Sequence, residues 1–233
     1  MSVENHICVS HHLGLGDNIT CHGIVRYYAE KYSKITSFAK HTNYENVKYM
    51  YNDLDNLELV SVYDDNEVNN YIASHEFSKI LRVGFDELCA NWGCENFVKQ
   101  FYDLASVPMQ YEYEKFYINR DMNKEMELFN SLNIKEQEYT FVHDGSILQS
   151  SKADLVDQSI PSIIPDHAPI FHWIYTILNA KEIHCIDSSF ICLVDLLDTK
   201  DIPIFNHRHI KRYPDFIAVN PKPHKDWQYI NAD

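Results

Sequence analysis

No run of about twenty apolar residues, the length a bilayer-spanning helix needs, occurs in the sequence. Its first six residues are mostly polar and lack the apolar stretch of a secretory signal. Glycine (6) and proline (8) are scarce, which excludes collagen-like and Gly/Pro-rich low-complexity chains. Positive charge is also scarce: 20 Lys and Arg face 34 Asp and Glu, a formal net charge of -14. Such a chain has no general attraction for nucleic-acid backbones or anionic membranes, so neither is expected as a partner. None of the 6 cysteines forms a CxxC pair, and none of the 13 histidines falls in an HxxxH or HExxH pattern. Disulfide frameworks and common zinc sites are therefore not expected. The cysteines sit mostly in apolar runs such as Ile7-Cys8-Val9, as small core residues of a reducing, cytoplasmic compartment.

What is present is ordinary for a globular chain: 45% hydrophobic and 23% charged residues over 233 positions. Short apolar runs alternate with helical periodicity. Strands are expected over 7–10, 35–39, 57–63 and 79–83, and helices over 18–32, 44–51 and 96–104. An aromatic stretch around Pro108 breaks the rhythm, a charged helix follows over 123–132, and the alternation restarts at Tyr139. Strands are then expected over 139–143, 162–164, 182–186, 202–205 and 216–219, with helices over 169–178 and 188–197. The expected fold is α/β, with two Rossmann-like α/β/α halves facing across a cleft, 1–133 and 134–233, and a tail that packs back. In such sheets the loops after the strands' carboxyl ends carry the chemistry.

The first of these loops is His11-His12-Leu13-Gly14-Leu15-Gly16-Asp17-Asn18. Gly14 and Gly16 permit a tight turn and close backbone approach, and the following helix offers amides to an anion. Position 19 is isoleucine, so the GxGxxG dinucleotide fingerprint fails, and no GK[ST] follows to make a P-loop. Asp17 reads either as a helix cap or as a carboxylate available as a general base, with Asn18 able to take over the cap. A carboxylate at a helix N-terminus is also expected to stay ionised. In the second half Phe141-Val142-His143-Asp144 and Ile186-Asp187-Ser188-Ser189-Phe190 each end a strand in polar groups. Ser188 and Ser189 at a helix start suit a phosphate, though Asp187 or Ser188 could simply cap.

These segments, in this order, resemble the GT-B glycosyltransferases, and within them the lipopolysaccharide heptosyltransferase-like group. The resemblance implies that His12, Gly14, Gly16 and Asp17 form the acceptor-side loop, with Asp17 as the catalytic base. It implies that Asp187, Ser188 and Ser189 hold the donor phosphates, with His143 and Asp144 on the strand that opens the donor domain. The Ser146-to-Lys152 stretch resembles the segment that binds donor phosphates through its lysine. The activity implied is transfer of a sugar from a nucleotide-diphosphate sugar to a hydroxyl of a saccharide acceptor. Inversion at the anomeric carbon and independence of metal and cofactor are expected.

Asp53-Leu54-Asp55 is a DxD, a metal–nucleotide signature elsewhere, but it follows a helical segment and reads as chance. Asp64-Asp65 reads as a solvated turn. Arg208, His209, Lys211 and Arg212 form the one basic cluster, either a solvated loop or a diphosphate contact through Arg208. There is no GxSxG elbow for a hydrolase. The rival functions are a nucleotide-sugar 2-epimerase and a non-catalytic sugar- or nucleotide-binding module of the same fold.

Overall fold

The computed structural model describes residues 5–84, 97–150, 153–209 and 225–232. The chain divides into two compact units, 1–119 and 120–233.

The first unit holds a parallel sheet in the order β3-β2-β1-β4. Its strands are β1 (His6–Ser10), β2 (Lys34–Lys40), β3 (Leu57–Val62) and β4 (Lys79–Arg82). All five residues of β1 are buried, as a central parallel strand covered on both faces requires. Helix α1 (Leu15–Ala29) packs on β2 and is enclosed by α2 (Tyr44–Met50), α4 (Phe97–Leu104) and α5 (Tyr111–Glu114). Enclosure buries α1 from Asn18 to Arg26, not along one face alone, so its polar side chains need partners inside. His22 donates from Nδ1 to the Ile19 carbonyl at 2.6 Å. Arg26 grips Asp53 through Nη1–Oδ2 (2.7 Å) and Nη2–Oδ1 (3.0 Å), donates to the carbonyls of Met50 and Tyr117, and lies 5.7 Å from the ring centroids of Tyr51 and of Tyr117. Asp53 thus anchors a helix, which accounts for the first carboxylate of the DxD.

Helix α3 (Asp65–Ser74) stands where a solvated turn was expected. Asp64 is its cap, accepting from the amides of Asn66 (2.9 Å) and Glu67 (3.1 Å). Glu67 reaches back to accept from the Tyr63 amide at 2.8 Å, a variant of the capping box.

The second unit begins before residue 134. Helix α6 (Met122–Ser131) packs on the turn Ile170–Trp173 and on α7 (Ile174–Leu178), so the division falls at 119/120 and not at 133/134. Fully buried Glu125 explains the assignment: it accepts from Arg120 at 2.8 and 2.6 Å and from the Tyr175 amide at 2.8 Å. The sheet is parallel in the order β6-β5-β7-β8-β9. Its strands are β5 (Thr140–His143), β6 (Ser162–Ile163), β7 (Glu182–Ile186), β8 (Ile204–His209) and β9 (Gln228–Ala232). Helix α8 (Ser189–Leu196) follows β7. The tail supplies β9, secured by Trp227 Nε1 donating to Asp195 Oδ1 at 2.8 Å. Lys225 Nζ donates to the carbonyls of Val194 and Leu197, placing a cation at the C-terminal end of α8. Burial pushes this lysine down to about 8, against the pull of Asp195 and Asp198. The strand expected over 202–205 runs instead over Ile204–His209, and the one expected over 216–219 lies outside the described residues. Among the described residues no helix is long and apolar enough to cross a membrane.

Candidate functional site

In the first unit the carboxyl end of β1 leads through His11-His12-Leu13 into α1. The helix starts at Leu15, three residues earlier than its sequence pattern predicts, and its cap is Gly14 (φ -62, ψ 146). Neither Asp17 nor Asn18 caps it. Asn18 instead donates from Nδ2 to the Gly14 carbonyl at 2.9 Å. Asp17 lies in the first turn, and its carboxylate folds back over Gly14, where a β-carbon would collide with Oδ2. Glycine at 14 thus makes room for the Asp17 side chain, a role distinct from turn geometry. Burial raises the Asp17 carboxyl above the usual carboxylate range; the charge of His12 and the residue's own amide pull the other way. Desolvation thus outweighs the local charge and hydrogen bond that favour the ionised form.

His12 donates from Nε2 to the Gly84 carbonyl at 2.5 Å, and its ring lies 5.8 Å from that of Phe101. Gly84 has φ +87, and a β-carbon there would meet the His12 and Phe101 rings, so only glycine fits this contact. His11, only 2% exposed, donates from Nδ1 to the His12 carbonyl at 2.8 Å. Its imidazole is pushed down to about 4, chiefly by burial; the bond to the His12 carbonyl opposes this and the His12 charge adds to it. His11 is thus a neutral part of the frame.

In the second unit β5 and β7 are paired with His143 opposite Cys185. That register brings their carboxyl ends together. Ser188 caps α8, its Oγ accepting from the Phe190 amide at 3.3 Å, and the same Oγ lies 3.1 Å from His143 Nδ1. The His143 ring lies 4.4 Å from that of Phe190. Burial lowers the His143 pKa, against the Asp144 charge and a bond from its own backbone. Asp144 caps the turn Gly145–Gln149, accepting from the Ser146 amide at 2.7 Å. Asp187 is exposed and accepts from Asn206 Nδ2 at 3.0 Å. Ser189 is the first residue of α8 and half-buried. His143, Ser188 and Ser189 therefore share one strand-end cluster, while Asp144 and Asp187 are committed to local bonds. Arg208 belongs to β8, opposite Asn231 of β9, and not to a loop as one of its two readings had it. Lys152, Lys211 and Arg212 lie outside the described residues.

The whole chain has counterparts among solved structures. The glycosyl transferase family 9 protein of Veillonella parvula DSM 2008 superposes with a TM-score of 0.63 at 10% identity, covering 99% of this chain and 88% of that one. The fold is that of the GT-B glycosyltransferases. The E. coli ADP-heptose LPS heptosyltransferase II matches at 0.59 and 10% identity, over 97% of this chain and 90% of that one. The iron-containing dodecameric glycosyltransferase TibC of enterotoxigenic E. coli H10407 matches at 0.54 and 8% identity, over 94% of this chain and 62% of that one. No protein-family model and no curated protein matches the sequence.

Within this fold, sequence reasoning found the two strand-end segments but missed the Gly84 clamp on His12 and the His143–Ser188 contact. Gly84 had a local signal, a lone glycine directly after a strand. The His143–Ser188 contact spans 45 positions and depends on strand register, so no local pattern announces it. Among the described residues no group of three or more His, Cys, Asp or Glu is placed to hold a metal ion.

Proposed function

We propose that the chain is a glycosyltransferase that moves a sugar from a nucleotide-diphosphate sugar to a hydroxyl of a saccharide acceptor. The observation that carries the proposal is the Asp17 carboxylate, folded over Gly14 at a helix it does not cap. Although it is bonded to its own first-turn amide, the carboxyl is desolvated enough that its pKa is raised, as suits a general base.

In the proposed reaction the acceptor hydroxyl attacks the anomeric carbon while the bond from that carbon to the diphosphate breaks. Asp17 takes the hydroxyl proton late, once bonding to carbon has acidified the oxygen. Attack from the face opposite the leaving group inverts the anomeric centre. Negative charge grows on the departing diphosphate, and the amides at the start of α8, with the Ser188 hydroxyl, would meet it. If neutral His143 donates its Nδ1 proton to Ser188 Oγ, which also accepts from the Phe190 amide, the Ser188 hydroxyl proton is left to point at a phosphate oxygen. Arg208 and Lys152 would add positive charge, and the reading requires no metal. The proposal includes a cytoplasmic setting.

The test is Asp17→Asn, assayed with a panel of nucleotide-diphosphate sugars for donor binding and for transfer or donor hydrolysis. Intact binding with loss of turnover supports the proposal; unchanged turnover overturns Asp17's role.

A further inference from the structure

Outside the cluster around Asp17, the carboxyl edge of the first sheet carries a second group of side chains. Lys40 and Val62 are paired as the last residues of β2 and β3. The chain steps from them to His41 and Tyr63, whose rings stack at 5.1 Å between centroids with planes inclined by 28°. Tyr63 is 66% exposed, the largest value among the exposed large hydrophobic side chains of the described residues. It is nevertheless held in place. Its amide is fixed by Glu67 at the start of α3 (2.8 Å), and the His41 ring is tied by Nδ1 to Ser61 Oγ (3.3 Å). Asn43, ending the short turn His41–Asn43, donates to the Leu13 carbonyl at 3.2 Å. That bond links the aromatic pair to the loop that carries Asp17.

An exposed aromatic ring held by its neighbours and backed by a second ring costs little to order on binding. It presents an apolar face with a polar hydroxyl at its rim. That combination matches the C–H face and peripheral hydroxyls of a pyranose. β3 lies two strands from β1 and β2 one, so Tyr63 stands roughly 10 Å across the sheet from the strand that leads to Asp17, at ~4.8 Å per strand, with His41 between. The separation suits a sugar next to the reacting one, not the reacting one itself. Next to Tyr63 in the chain Asp64, Asp65 and Glu67 are exposed, an acidic run that disfavours phosphorylated and carboxylated sugars.

We infer that His41 and Tyr63 form a stacking subsite for a neutral sugar residue of an oligosaccharide acceptor. The inference deepens, and rests on, the reading of the first unit as the acceptor side.

The experiment titrates the full chain by NMR with neutral trisaccharides (maltotriose, cellotriose and tri-N-acetylglucosamine) and with phosphorylated maltotriose. A nucleoside diphosphate is titrated into the same preparations. Saturable binding of a neutral trisaccharide is expected to be weakened about tenfold in Tyr63→Ala, retained in Tyr63→Phe, and stronger than binding of the phosphorylated sugar. The site is solvent-exposed, so both variants are expected to fold, and their amide spectra report it. Absence of saturable saccharide binding, equal binding by Tyr63→Ala, or preference for the phosphorylated sugar overturns the subsite. Nucleotide binding without saccharide binding overturns the subsite alone. Saccharide binding in a wild type that binds no nucleotide supports the subsite and counts against the transferase reading.

Discussion

Acidification should expose the buried state of His11. Its imidazole is held down to about 4 in the folded protein against an ordinary 6.5, because burial disfavours the charged ring. Below pH 6.5 the unfolded chain therefore takes up a proton that the folded chain refuses until the pH nears 4. The unfolded state binds more protons in that window, so stability falls as pH falls and recovers as pH rises. Between pH 7 and pH 5 the linkage integral for a shift from 6.5 to about 4 amounts to roughly 2 kcal/mol. His11→Asn removes the titrating group while keeping a side-chain N–H able to reach the His12 carbonyl. The variant carries a fixed packing cost at both pH values, so the quantity to read is the difference in pH dependence. Urea midpoints of the first unit's transition at pH 7 and pH 5 supply it. Wild type should lose about 2 kcal/mol more than His11→Asn on acidification. Equal losses would mean that His11 titrates as a solvated imidazole, and it would return as a candidate base on the loop.

Two further outcomes follow from the geometry. Ser189 is the first residue of α8, where proline is tolerated, whereas Ser188 has φ -161 and cannot become proline. Ser189→Pro should keep the fold and remove one amide from the proposed diphosphate site, weakening nucleotide affinity about tenfold by calorimetry; unchanged affinity would place the phosphates elsewhere. Asp53→Asn strips the charged partner from Arg26, which is 8% exposed, and should cost about 2 kcal/mol in urea unfolding without altering the EDTA sensitivity of transfer. A normal urea midpoint together with loss of a divalent-ion requirement would restore the DxD as a metal site.

Much of the fold was legible because parallel sheets are written in short apolar runs. The strand expected over 182–186 runs over Glu182–Ile186; β1 and β3 differ from expectation by a residue at one end and β2 by a residue at each end. The start of α1 was not legible, because Gly14-Leu15-Gly16 reads as a turn by propensity. Enclosure of the helix overrides the ~1 kcal/mol that a helical glycine costs, and Gly16 becomes part of the first turn. Helix α3 was hidden by Asp64-Asp65, although an aspartate three residues before Glu67 is a capping signal. The unit boundary slipped because the charge of Glu125 reads as surface. Only the fold shows that Arg120 and the Tyr175 amide neutralise it inside. At the site, the order of segments was visible, but the Asp17 environment was not. Desolvation depends on what the chain packs around the carboxylate, which no local pattern shows.

The central claim stands on Asp17, and Asp17→Asn tests it most directly. Transfer rate, nucleotide affinity and melting temperature are measured on one preparation of the variant. Asp17 neither caps α1 nor fills a core position, so the melting temperature should change little. Nucleotide affinity should hold, and transfer should fall about 10²–10⁴-fold, because the amide accepts no proton at neutral pH. In wild type the transfer rate should rise with pH through a pKa above the usual carboxylate range, since burial holds the Asp17 proton on, and that limb should vanish in the variant. Transfer within a few-fold of wild type, in a folded variant that binds nucleotide, would contradict the account and leave His12 as the base to test.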